Sequence, residues 1–87
     1  MIRNLHLFYT TCDSIAKAEH LAKKMIGDDF ASCINIIKDT KSYYKEDLKI
    51  NAVSEIILII KTVKEFKEIE VYLNDNHPPT IHHLLQN

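Results

Sequence analysis

The sequence is nearly devoid of residues that punctuate a chain: one Gly, two Pro and no Trp among 87 residues. That leaves few enforced turns and no flexible linker, so the chain reads as a single domain over residues 1–87. Two cysteines, Cys12 and Cys33, are too few for a disulfide scaffold. The longest purely apolar run, Ile56 to Ile60, is far short of a membrane span. The start, Met1-Ile-Arg-Asn-Leu-His6, has no apolar stretch of signal-peptide length. Together these features predict a cytoplasmic protein with reduced thiols. With 11 Lys and Arg against 12 Asp and Glu, a formal net charge of −1 argues against nucleic-acid binding by phosphate neutralisation. Also missing are Gly-x-Ser-x-Gly, a phosphate-binding glycine loop, His-Glu-x-x-His and Cys-x-x-Cys, so the expectation is a protein that is not an enzyme.

What is present is a regular alternation of strand and helix patterns. Leu5 to Thr11 is rich in aromatic and β-branched residues and predicts a first strand. Asp13 or Ser14 can cap a helix whose stripe is Ile15, Ala18, Ala22, Met25 and Ile26, with Leu21 beside it and Gly27 as its stop. Phe30 to Ile37 predicts a second strand, continued through Ile50 as a polar arm carrying Tyr43 and Tyr44. Val53 to Thr62 predicts a third strand; its Ile56 to Ile60 is apolar at every position, so both faces should be covered. Thr62 and Glu65 fit a capping box before a helix with Phe66, Ile69 and Leu73 on one side. Asn74 to Pro79 ends that helix, and Ile81 to Leu85 predicts a short last strand. The order β-α-β-β-α-β, with right-handed crossovers, gives an α+β ferredoxin-like sandwich. It has two helices on one face of a four-stranded antiparallel sheet, with an extended hairpin arm. A chain this small buries only about two-thirds of its unfolded surface. An arm with unpaired edges also needs a partner, so both features predict subunit association.

Several segments, in this order, carry a family resemblance: Leu7-Phe-Tyr-Thr-Thr11, Ala16 and Ala22, Ala31-Ser-Cys-Ile-Asn-Ile-Ile37, Ser42-Tyr-Tyr44, Glu55 to Lys61-Thr62, and His77-Pro78. The chain resembles the CutA divalent-ion-tolerance family from about residue 5 to residue 85. That family's hallmarks are an Ala-Cys-Val-Asn-type strand, a Ser-x-Tyr-x-Trp-x-Gly arm, a Glu-x5-Lys-Thr strand end and a His-Pro-Tyr-x-x-Pro motif. The resemblance implies a ferredoxin-like subunit in a compact homotrimer joined by its hairpin strands. It implies a role in tolerance of divalent metals, copper above all, and no enzymatic activity. Glu46 and Leu48 stand where the family has Trp and Gly, while Pro79, Thr80 and His82 depart from its His-Pro motif. Relatives carry a further strand segment and a C-terminal helix beyond the position of Asn87, so the resemblance implies a short, divergent member.

Cys33 matches the family cysteine and is a candidate soft ligand for copper; the competing reading is a small buried core residue. Cys12, beside the predicted strand–helix turn, is expected to be the more exposed of the two. His77, His82 and His83 cluster near the C-terminus, and imidazole suits copper, zinc and nickel. Neighbours in a strand point to opposite faces, so His82 rather than the His82–His83 pair joins Cys33 and His77 as candidate metal ligands. The implied cofactor is copper or another divalent cation. Tyr43, Tyr44, Glu55 and Lys61 are candidates to line a cleft between subunits; the competing reading for the tyrosines is interface packing. The alternative function is a trimeric regulatory or interaction module that takes a small ligand or protein partner in that cleft. The expected partners are further copies of the chain and a metal ion or small ligand, with no nucleic acid and no membrane.

Overall fold

The computed structural model describes residues 5–76 and 81–85. In chain order its elements are β1 (His6–Cys12), α1 (Ile15–Gly27), β2 (Cys33–Glu46), β3 (Lys49–Thr62), α2 (Phe66–Asn76) and β4 (Ile81–Leu85). The protein is thus α+β, with two helices and an antiparallel sheet. β3 lies between β2 and β1, and the backbone of β4 runs antiparallel along the other edge of β1.

Strict alternation divides the sheet into two faces. In β1 the residues His6, Phe8, Thr10 and Cys12 are buried, and they pair with Thr62, Ile60, Leu58 and Ile56 of β3. Ile34 and Ile36 extend this face into β2 opposite Ile60 and Leu58. Helix residues Ala18, Leu21, Met25, Ile69 and Leu73 pack on it, and Phe8, Met25, Leu58, Ile60, Ile69 and Leu73 form its most buried part. Each such side chain contributes about 1.5–3 kcal/mol of transfer free energy. The opposite face carries Leu7, Tyr9, Ile57 and Ile59, only half buried, and Cys33, Asn35 and Ile37, all exposed. No helix covers it. The expectation that Ile56 to Ile60 would be covered on both sides therefore holds for only one side of this chain.

Local chemistry sets the helix ends, and one predicted device is replaced. Ser14 caps α1 as expected, its hydroxyl accepting from the Lys17 N–H at 3.2 Å. α1 stops at Gly27 as expected, and the left-handed residue that follows is Asp29, at φ 60°. Thr62 does not box with Glu65, because its hydroxyl donates to the Phe30 carbonyl at 2.6 Å and accepts from the Lys64 N–H at 2.9 Å. The capping contact lies three residues later: the Glu68 carboxylate accepts from the Glu65 N–H at 3.2 Å, and α2 begins at Phe66.

α2 is tied to the corner between α1 and β2. The Tyr72 hydroxyl donates to Asp28 at 2.8 Å, and the Tyr72 ring lies against Phe30 with centroids 4.3 Å apart. Burial, then the hydrogen bond to Asp28 and its negative charge, push the Tyr72 phenol up to about 12 from its ordinary 10.0. A phenol more acidic in the unfolded chain than in the folded one confers stability that is intact below about pH 10 and drains away toward about pH 12. The hydrogen bond from Tyr72, with help from Lys24, holds the Asp28 carboxyl below its ordinary value. That contribution is present above the ordinary carboxyl value and is lost as pH falls through the depressed one. Tyr72→Phe is therefore expected to lower the urea midpoint at neutral pH and to flatten the alkaline limb relative to the parent. Urea titrations at a series of pH values check this; equal slopes in both proteins would remove the assignment.

Candidate functional site

The open face of the sheet holds most of the candidate residues, and register decides which of them meet. Cys33, the first residue of β2, pairs with Lys61, which pairs in turn with Leu7, so the three form a row across the sheet. Cys33 is exposed and Cys12 is buried, which overturns the competing reading of Cys33 as a buried core residue and the expectation that Cys12 would be the more exposed of the two. Parity is the reason. Cys12 shares the inward phase of Phe8 and Thr10, whereas Cys33 precedes the inward residues Ile34 and Ile36 by one and three. Burial pushes the Cys12 thiol up, Asp13 adds to the rise, and Lys17 opposes it. Cys33 is the thiol presented to solvent, and a thiol must be accessible to act as a ligand.

A second group gathers where β2 is interrupted. Ile37 pairs with Ile57, but the next pairing is Thr40 with Glu55, so β2 holds one extra residue against β3. Asp39, at φ 60°, takes the left-handed conformation this bulge requires, which Asp and Asn tolerate better than most side chains. The Thr40 hydroxyl donates to the Glu55 carbonyl at 2.6 Å, and the Ser42 hydroxyl donates to the Glu55 carboxylate. An open groove of about 380 Å³ lies at this point, with Asp13, Asp39, Lys41, Ser54 and Glu55 among its lining residues.

Beyond the bulge, β2 and β3 continue as a paired arm closed by Asp47 and Leu48, both at positive φ (52° and 67°). The hairpin turn is therefore two residues long; β2 stops at Glu46, short of the Ile50 limit read from sequence, and β3 starts at Lys49, ahead of the Val53 limit. Leu48 stands at the second turn position, where glycine is preferred, and is 90% exposed. Tyr43 pairs with Ala52 and Tyr44 with Asn51, so the two tyrosines face opposite sides of the arm.

The candidate cleft residues do not converge within one chain. Glu55 and Lys61 are six residues apart on one strand, about 20 Å at strand rise. Tyr44 shares their face farther along the arm, and Tyr43 does not. Of the candidate metal ligands, Cys33 is placed as described. His82 lies in β4 with its backbone opposite Tyr9, and His77 falls outside the described residues. Among the described residues, no three His, Cys, Asp or Glu side chains converge on one point. The sequence reading missed Asp39, although an Asp between two β-branched strand runs is a recognised bulge signal. It also passed over His6, whose parity with Phe8 and Thr10 marks it as inward-facing. Among the described residues no helix is long and apolar enough to cross a membrane.

Comparison with known proteins gives consistent matches along the chain. A family model described as CutA1 divalent ion tolerance protein matches residues 6–86. The divalent-cation tolerance protein CutA of Archaeoglobus fulgidus is 35% identical over 78 residues, covering 87% of this chain and 76% of that protein. A chloroplastic CutA protein of Arabidopsis thaliana is 31% identical over 70 residues, which are 79% of this chain but only 38% of the plant protein. A solved structure of the A. fulgidus protein, described there as periplasmic, superposes with a TM-score of 0.78 at 30% identity, covering 93% of this chain and 82% of that one.

Proposed function

The chain belongs to the CutA1 divalent ion tolerance family, and from that premise we propose that it is a ferredoxin-like homotrimer that serves tolerance of divalent metal, copper first. In this reading β4 completes a four-stranded plait, and the trimer binds the ion weakly with Cys33 as its leading ligand. His77 and His82 supply further imidazole donors.

The observation that carries the reading is the uncovered apolar face that runs out into an exposed arm. Tyr9, Ile57 and Ile59 lie in the open, half-covered side of the sheet, Val53 and Tyr44 carry that side onto the arm, and Tyr43 and Ile50 on the reverse of the arm are each 69% exposed. Isolated soluble chains rarely leave a contiguous apolar surface of this kind. The occupant proposed is further copies of the chain, since an arm of paired strands offers its edges to an identical arm. Association also places three copies of Cys33, already solvent-facing, on one assembly. The relatives carry names of tolerance proteins rather than of enzymes, in keeping with a binding role. Cytoplasmic residence belongs to the proposal as well; the A. fulgidus protein is described as periplasmic.

Copper titration of the intact chain, with Cys33→Ser and His77→Ala alongside, tests the metal half. An affinity about tenfold lower in Cys33→Ser is the expected result. Equal affinities in all three proteins would remove Cys33 from the reading. Sedimentation tests the assembly half: a trimer is expected, and a stable monomer at micromolar concentration would end it.

A second reading is favoured by the groove at the bulge. There Glu55, Lys41, Thr40 and Ser54 line one groove and offer a small polar ligand both charges and hydrogen bonds. A module that binds such a ligand between subunits would keep its affinity in Cys33→Ser and lose it in Glu55→Ala.

A further inference from the structure

His6 is the first inward-facing residue of β1, and its side chain is 3% exposed. Neither of its ring nitrogens has a hydrogen-bond partner among the described residues. A buried polar group left in that state costs free energy, and such groups in native proteins call for an explanation. Two nearby polar side chains among the described residues are otherwise engaged. Thr62, opposite His6 in register, has its hydroxyl committed to the Phe30 carbonyl and the Lys64 N–H. Lys64 is drawn over the Phe30 ring, 5.0 Å from its centroid, and toward Glu68 at 4.0 Å. Phe8 stacks beside the imidazole with centroids 5.8 Å apart. Among the described residues that leaves Glu65, whose carboxylate Oε2 lies 3.6 Å from His6 Nε2.

This separation is long for a hydrogen bond, but it suits two donors held by one ion. With zinc–nitrogen and zinc–oxygen bonds of about 2.0–2.1 Å and near-tetrahedral angles, the two donor atoms stand about 3.3–3.6 Å apart. We propose that His6 Nε2 and the Glu65 carboxylate form a binding site for a borderline divalent cation such as Cu²⁺ or Zn²⁺ at the junction of β3 and α2, completed by water on the exposed Glu65 side. Imidazole with carboxylate is the donor pair those ions accept. Coordination gives Nε2 the partner it lacks, and the Glu65 and Glu68 carboxylates together offset the partial positive charge of the α2 N-terminus. The site shares only its class of ion with the function proposed above; none of its atoms is Cys33.

The test is Zn²⁺ and Cu²⁺ titration of the intact chain against His6→Gln, Glu65→Gln and Cys33→Ser, with NMR of the imidazole signals during Cu²⁺ addition. Glu65 is two-thirds exposed, so Glu65→Gln is expected to fold and reports even if His6→Gln does not. The expected result is an affinity lower by about tenfold or more in Glu65→Gln, with selective broadening of the His6 ring and proton release on binding. Unchanged affinity in Glu65→Gln, with a His6 ring unaffected by Cu²⁺, overturns this site. If that result comes with a loss in Cys33→Ser, the function proposed above stands without it. No binding in any form of the chain overturns both.

Discussion

Phe8→Ala is expected to be the most damaging single substitution in the chain, lowering stability by about 3–5 kcal/mol. Phe8 has no solvent exposure and sits in the middle of β1, paired with Ile60 and tilted against Phe66 with ring centroids 5.8 Å apart. It is where the inward face of the sheet meets both helices, since Met25 of α1 and Ile69 of α2 belong to the same buried cluster. An alanine there removes an aromatic ring from a site whose walls are strands and helices on several sides, so collapse can refill little of the space. Small domains have total stabilities of about 5–15 kcal/mol, often near the lower end, so the loss is comparable to the whole. Urea denaturation followed by circular dichroism measures it. An unfolding free energy within about 0.5 kcal/mol of the parent, the range of ordinary surface changes, would show that this core does not hold the fold.

The second large effect falls on assembly rather than folding. The double variant Tyr43→Asp, Ile50→Asp is expected to dissociate the proposed trimer into monomers. Both residues are 69% exposed in the single chain. Tyr43 opposite Ala52 and Lys45 opposite Ile50 put them on the same side of the arm. Truncating a buried aromatic anchor in an interface commonly costs about 2 kcal/mol or more, and two such losses amount to about a thousandfold in the association constant. Placing carboxylates there adds desolvation cost to lost packing. The same substitutions touch nothing in the subunit core, so far-ultraviolet circular dichroism should be unchanged. An unfolded variant would mean the arm supports the subunit itself, and an unaltered oligomer would place the contact elsewhere.

The sequence announced its fold through periodicity, and this is why most elements were legible. β1 alternates without fault from His6 to Cys12, and the helical stripes of α1 and α2 carry the residues found buried: Ala18, Leu21, Met25, Ile69 and Leu73. What could not be read was phase and context. Whether Cys33 or Cys12 turns inward depends on a one-residue offset that composition does not show. Thr62 is chemically able to box with Glu65, but the Phe30 carbonyl, remote in sequence, claims its hydroxyl instead. The hairpin tip escaped notice because Asp47-Leu48 lacks the glycine that usually marks such a turn. The Glu46 and Leu48 departures from the family pattern prove to be the last residue of a strand and a strained turn position. The candidate metal residues were legible as chemical types; their separation along the sheet was not, because it follows from strand register.

The bulge at Asp39 has a consequence for how this arm can change over evolutionary time. β3 keeps a single alternation along its 14 residues, while β2 shifts phase once, between Ile37 and Thr40. Past that point Thr40, Ser42 and Tyr44 keep company with Glu55 and Val53, and Lys41 and Lys45 lie on the reverse. Insertion or deletion of one residue in the arm would exchange those two sets wholesale, lysines for hydroxyls and tyrosine. Two residues in each strand can come or go with no such reversal. The reach of the hairpin is thus quantised, growing or shrinking in dipeptide steps, and Asp39 is the residue that sets its phase.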